Sequence, residues 1–127
     1  MELSGDPKFG EVEVEATAEE LAALADAVVA GEGHLTFSAG VLAAIEVAAT
    51  DGPGVLVSVD GERRVLVIGG DAAGRQVLAE VLRDIASTTD GGHTHVDHCP
   101  GHPWLAEGSL PLIVDNPLGG MPRRQLR

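Results

Sequence analysis

Three runs of aliphatic and β-branched residues follow one another in the middle of the chain: Ile45-Glu46-Val47-Ala48-Ala49, Val55-Leu56-Val57-Ser58-Val59 and Arg64-Val65-Leu66-Val67-Ile68. Only turn chemistry separates them, Asp51-Gly52-Pro53-Gly54 after the first and Asp60-Gly61-Glu62 after the second. Short runs of β-formers bounded by Gly, Pro and Asp predict strands, and strands joined by tight turns predict a meander. Residues 41–49 are also rich in alanine, so a helix is the alternative for the first run. A sheet in the middle of a chain must have one face covered, and the flanking segments supply the cover.

On the N-terminal side, Glu11-Val12-Glu13-Val14-Glu15-Ala16 alternates strictly. That pattern predicts a half-buried strand with Val12 and Val14 inward and Glu11, Glu13 and Glu15 as an acidic ladder outside. Thr17-Ala18-Glu19-Glu20 is a capping box, and the helix behind it sets Leu21, Leu24, Ala25 and Val28 on one stripe, with Gly31 and Gly33 to end it. His34 to Phe37 is a further short strand.

On the C-terminal side, Gly69-Gly70 is expected to break the third strand, and Asp71 to cap a second helix. Val77, Leu78, Val81, Leu82 and Ile85 form that helix's stripe. Asp90-Gly91-Gly92 leads into a strand of histidines, and Leu110 to Val114 is the last strand. The sum is an α+β single domain over residues 1–116, two helices packed on one mostly antiparallel sheet. Residues 117–127, with Gly119-Gly120-Met121-Pro122-Arg123-Arg124, form a flexible basic tail.

Charge and composition exclude several classes of function. The formal charge is −12, and residues 1–51 hold eleven acidic side chains against Lys8 alone. Such a surface repels phosphate backbones, and a chain with no tyrosine and two phenylalanines has little on which to stack bases, so nucleic acid is not expected as a partner. A basic protein partner is, because complementary fields speed encounter; solubility alone accounts for acidity equally well. One cysteine forms no internal disulfide, the N-terminus lacks a basic region followed by an apolar run, and no apolar run has the length of a membrane span. A cytoplasmic protein that needs neither cofactor nor metal to fold is expected.

Four of the five histidines, the cysteine and the tryptophan fall within residues 93–104. In a strand, His93, His95, Asp97 and Cys99 project from one face and Thr94, Val96 and His98 from the other. Same-face imidazoles two residues apart are near enough to share an ion, so His93, His95, Asp97, Cys99 and His102 are the residues a metal site or metal-dependent enzyme would use. No second cluster completes the set, and the spacing matches no zinc finger or metalloprotease. A polar strand face that holds the fold together accounts for the same residues. Other catalytic patterns are weak. Ser109 lacks the Gly-x-Ser-x-Gly elbow, and Gly69-Gly70-Asp71-Ala72-Ala73-Gly74 is a turn and a cap, where Asp71 would repel a phosphate. Pro100-Gly101 and Pro103 make a rigid turn, and Trp104 either covers a sheet edge or anchors an interface.

The order His93-x-His95-x-x-x-x-Pro100-Gly101-His102-Pro103-Trp104-Leu105, then Glu107-Gly108-Ser109-Leu110-Pro111-Leu112-Ile113-Val114, resembles the immunity protein 32 family of predicted bacterial immunity proteins, encoded beside polymorphic toxins. The strand ending in Gly-Gly and the amphipathic helix after it are also similar, and the likeness spans about residues 55–114. The resemblance implies a small α+β protein that binds and neutralises a cognate toxin without catalysis. The acidic N-terminal strand and first helix then become the expected toxin-facing surface, through Glu11, Glu13, Glu15, Glu19 and Asp26, with Trp104 as a further contact.

Overall fold

The computed structural model describes residues 2–4, 12–36, 39–40, 42–87, 92–96 and 102–116. The α+β class holds, and the strands are divided between two sheets rather than gathered in one. The first sheet contains β1 (Glu2–Ser4), β2 (Val12–Glu15), β4 (Ala39–Gly40), β8 (Gly92–Val96) and β9 (Leu112–Asn116), in the order β4-β1-β2-β9-β8. The second contains β3 (Glu32–Thr36), β5 (Ala44–Ala49), β6 (Val55–Asp60) and β7 (Val65–Gly70), in the order β3-β5-β7-β6. Helix α1 (Ala18–Ala30) joins β2 to β3, and α2 (Ala72–Ala86) joins β7 to β8. The expected tail at 117–127 lies outside the described residues.

The two helices pack on each other. Helix α1 also touches β3 and β5, while α2 touches strands of both sheets. One buried cluster results. It takes Val12, Val14, Leu112 and Val114 from the first sheet, Ile45, Val57, Leu66 and Ile68 from the second, and Leu21, Leu24, Leu78 and Leu82 from the helices. Each such side chain contributes about 1.5–3 kcal/mol by leaving water.

Helix α1 follows its sequence signals. The Glu20 amide donates to Thr17 Oγ1 at 3.2 Å and the Thr17 amide to Glu20 Oε1 at 3.0 Å, which closes the capping box. Leu21, Leu24, Ala25 and Val28 are all buried. Gly31 ends the helix at φ 79°, a left-handed conformation that favours glycine; Gly33 belongs to β3. The last turn of α1 holds no basic residue. Arg75 of α2 stands there instead, only 8% exposed, and donates through Nη1 to the Val28 and Val29 carbonyls and through Nε to that of Gly70, each at 3.0 Å. A guanidinium at a helix C-terminus answers its orphan carbonyls and its dipole together.

The meander is corrected. Strands β6 and β7 form the expected antiparallel hairpin, but β5 lies parallel to β7 and not beside β6. The turn over 61–64 reverses the chain locally, whereas the 51–54 loop carries it past the end of the sheet and leaves β6 at the edge. Gly69-Gly70 does not break β7: both residues pair with β5 and β6, and the strand stops at Asp71. The alanine-rich stretch is strand, as β5. The last strand runs over Leu112–Asn116 instead of 110–114, because Leu110 and Pro111 make backbone bonds to β6 and β2. The Leu110 amide donates to the Val57 carbonyl at 2.9 Å, and the Pro111 carbonyl accepts from the Val12 amide at 3.0 Å.

Candidate functional site

The segment from His102 to Leu110 carries no helix, and its single ladder contact is the parallel bridge between Leu105 and Val55. Pro103 removes one amide donor, and side chains do much of the fastening. His102 Nδ1 accepts from the amides of Leu105 at 2.9 Å and Trp104 at 3.3 Å, which folds the chain into a turn. The two rings meet edge to face, with centroids 5.0 Å apart. The turn aims the backbone at β6: the Trp104 carbonyl accepts from the Val55 amide at 2.8 Å, and the Ala106 amide donates to the Val55 carbonyl at 2.7 Å. Ser109 continues the seam with its hydroxyl, accepting from the Val57 amide at 3.0 Å and donating to the Val55 carbonyl at 3.1 Å. Leu105 is buried beneath. Edge strand β6 is thereby covered.

Close approach is possible because position 54 is glycine. A Cβ there would stand 2.6 Å from the Trp104 carbonyl oxygen. The 51–54 loop is tied in turn to α2. Asp71 accepts from the Gly74 amide at 2.8 Å as the expected cap, and also from the Gly54 amide at 2.9 Å. Those two amides, Gly54 foremost, hold the Asp71 carboxyl below its ordinary range; burial opposes the shift and Arg75 adds to it.

Between this loop and the 102–107 segment lies a cleft of about 710 Å³ on the outer face of the second sheet. Ala48, Gly69 and Leu56 occupy one cross-strand row of its floor. Leu56 is 42% exposed, and Trp104 and Glu107 stand in the wall. Further along the face, His34 Nδ1 lies 3.3 Å from a Glu46 carboxylate oxygen, and the Arg63 guanidinium pairs with the same carboxylate. Hydrogen bonding from Arg63 lowers the Glu46 pKa; desolvation opposes the shift, and the Arg63 charge and His34 add to it. Sequence reasoning missed this cleft. The strand pattern held a signal: Leu56 alternates with the inward Val55 and Val57 and so must face out.

The residues singled out in the sequence fall elsewhere. Glu13 and Glu15 are half-buried on the outer face of the first sheet. Glu13 is in register with Ile113, which is in register with His95; Glu15 is in register with Asp115, and Asp115 with His93. The acidic ladder and the histidine strand therefore share one sheet, with β9 between them. Strand spacing puts β2 and β8 about 10 Å apart. His95 is exposed, while His102 is committed through Nδ1 to its turn. Among the described residues no three His, Cys, Asp or Glu side chains are grouped to hold a metal. Glu19 and Asp26 are exposed on α1, and Asp26 pairs with Arg83 of α2 at 3.1 Å. Glu11, Asp97 and Cys99 lie outside the described residues. No helix among those described is long and apolar enough to cross a membrane.

No curated protein and no solved structure matches this chain significantly. A family model does: residues 65–117 match Immunity protein 32. The match begins at β7, runs through α2 and the final hairpin, and contains the whole segment that covers β6. From β7 to the end of β9, the chain is similar to the Immunity protein 32 family.

Proposed function

We propose that this chain is an immunity-type protein that binds a cognate toxin in the cytoplasm and neutralises it by occlusion, without catalysis. The observation that carries the proposal is the family match over residues 65–117. Charge supports a basic toxin. The chain's net charge is −12, and one strand presents Glu13 and Glu15 beside Asp115 on an outer sheet face, with Glu19 on the adjoining helix. A cationic partner gains encounter rate from such a field. Nucleic acid and membranes gain nothing from it.

The test is association kinetics between the full chain and the toxin domain encoded beside its gene, across a salt series. The association rate is expected to fall steeply as salt rises. Charge reversal at Glu13 and Glu15 should slow association far more than the same change at Glu80 on α2. A partner that associates at a salt-independent rate, or is slowed equally by all three changes, moves the interface off the first sheet. Absence of any complex with the neighbouring toxin overturns the immunity reading itself.

A further inference from the structure

We propose that the cleft on the outer face of the second sheet is an anchor pocket for one arginine side chain of the protein partner, with the guanidinium held between Trp104 and Glu107. This rests on the immunity reading for its partner and on the cleft's own chemistry for its ligand.

The floor is built to receive an aliphatic stem. Ala48 and Gly69 are neighbours in register on β5 and β7, and Leu56 follows on β6. The two small residues leave a hollow beside one exposed leucine. A Cβ at Gly69 would already lie 3.3 Å from Thr50 Cγ2, so the hollow depends on a position with no side chain. Leu56 and Val29 are the large hydrophobics left exposed among the described residues, and Leu56 lines this cleft. An apolar floor alone selects any aliphatic group, and the walls narrow the choice. Among the described residues Glu107 is the only carboxylate in the lining, and no described lysine or arginine lines it. The −12 net charge repels anionic side chains before contact. Trp104 supplies an indole, the aromatic surface that best attracts a cation.

A side chain with an apolar stem and a delocalised charge matches all three features, and arginine stacks on aromatic rings as lysine does not. The same sheet face already holds one guanidinium, with Arg63 laid across to Glu46. The cleft's volume, about 710 Å³, exceeds one side chain and leaves room for the backbone that presents it.

Trp104 is the only tryptophan, so its emission reports the cleft directly. The probe is the capped tripeptide Leu-Arg-Leu, titrated into the full chain to its solubility limit. The same peptide with citrulline, which keeps the shape and removes the charge, is the control. A saturable change is expected with arginine, at about threefold lower concentration or less than with citrulline. Ala48→Phe fills the hollow from an exposed position and should abolish the response; Glu107→Gln should weaken it. Both variants should also weaken the toxin complex, the first by about tenfold. Melting curves check that each variant is folded, and Leu56→Ser replaces Ala48→Phe if that one is not. Identical curves for the two peptides, or no saturation with either, overturn the proposal. So does a toxin that binds wild type and the filled variant equally, which leaves the immunity reading intact. If no toxin binds wild type, that reading falls and the peptide titration alone decides the pocket.

Discussion

Replacing Arg75 with methionine keeps the aliphatic stem and removes the guanidinium, and the structure says what that costs. Three bonds of 3.0 Å are lost, to the carbonyls of Gly70, Val28 and Val29. The first two are buried, whereas the Val29 carbonyl is partly open and water replaces the lost donor there. The Val28 carbonyl, left without this donor, costs about 1–3 kcal/mol, and the Gly70 carbonyl, which still accepts from the Thr50 amide at 2.9 Å, loses one charge-assisted bond worth about 1.5–3 kcal/mol, so the two together give roughly 4 kcal/mol. Relief from burying the charge returns about a quarter of this, for a net loss of about 3 kcal/mol. For a domain of this size that is on the order of 10 °C in melting temperature. Arg75→Lys should recover less than half, because one ammonium does not span the helix end and the strand end together. Gly31→Ala should couple to it, since a Cβ at Gly31 would stand 2.7 Å from Arg75 Nη1. Urea denaturation of the four proteins of that double-mutant cycle is the assay. A loss under about 1 kcal/mol for Arg75→Met would refute the view that this side chain closes α1.

Other substitutions test the seam along β6 and the caps. Ser109→Ala removes the acceptor for the Val57 amide and should cost about 1–2 kcal/mol in urea denaturation, with little change in toxin affinity. His102→Asn keeps a side-chain acceptor for the Trp104 and Leu105 amides and should be milder than His102→Ala, by about 1 kcal/mol in the same assay. Thr17→Ala opens the capping box and should cost about 1 kcal/mol. Acidification provides a separate check. Asp71 and Glu46 have folded-state pKa values below their ordinary ones, so each adds stability above the unfolded-state value that is lost as pH falls through the folded one. Denaturation midpoints should therefore drop below about pH 4, and Asp71→Asn should flatten that limb.

Local signals in the sequence carried the elements, and long-range pairing decided the rest. The capping box at Thr17, the stripe of α1 and the strand at Val12 depend on neighbours within a turn or two, so periodicity alone finds them. The position of β5 does not. Its partner β7 is separated from it by β6, and two arrangements of three strands share the same hydrophobic pattern. The split into two sheets was hidden for the same reason, since Val14 meets Val114 across nearly the whole chain. The C-terminal motif was legible as a unit but not in its role. His102 looked like a metal ligand because its residue type permits that, while its partners are the two amides just beyond it. Arg75 lay in a polar position of an amphipathic helix, and nothing nearby in sequence announces the carbonyls of Val28 and Val29.

The covering of β6 has a consequence for synthesis. Val55 and Val57 leave the ribosome well before Trp104, Ala106 and Ser109, and β7, α2 and β8 between them take time to appear. Throughout that interval the hairpin of β6 and β7 has an open edge, ready to pair with any extended segment of another nascent chain. The gene order of residues thus imposes a vulnerable window during translation. Growing chains on one message are crowded together, and they are at risk of joining edge to edge until the last quarter of the sequence arrives to close it.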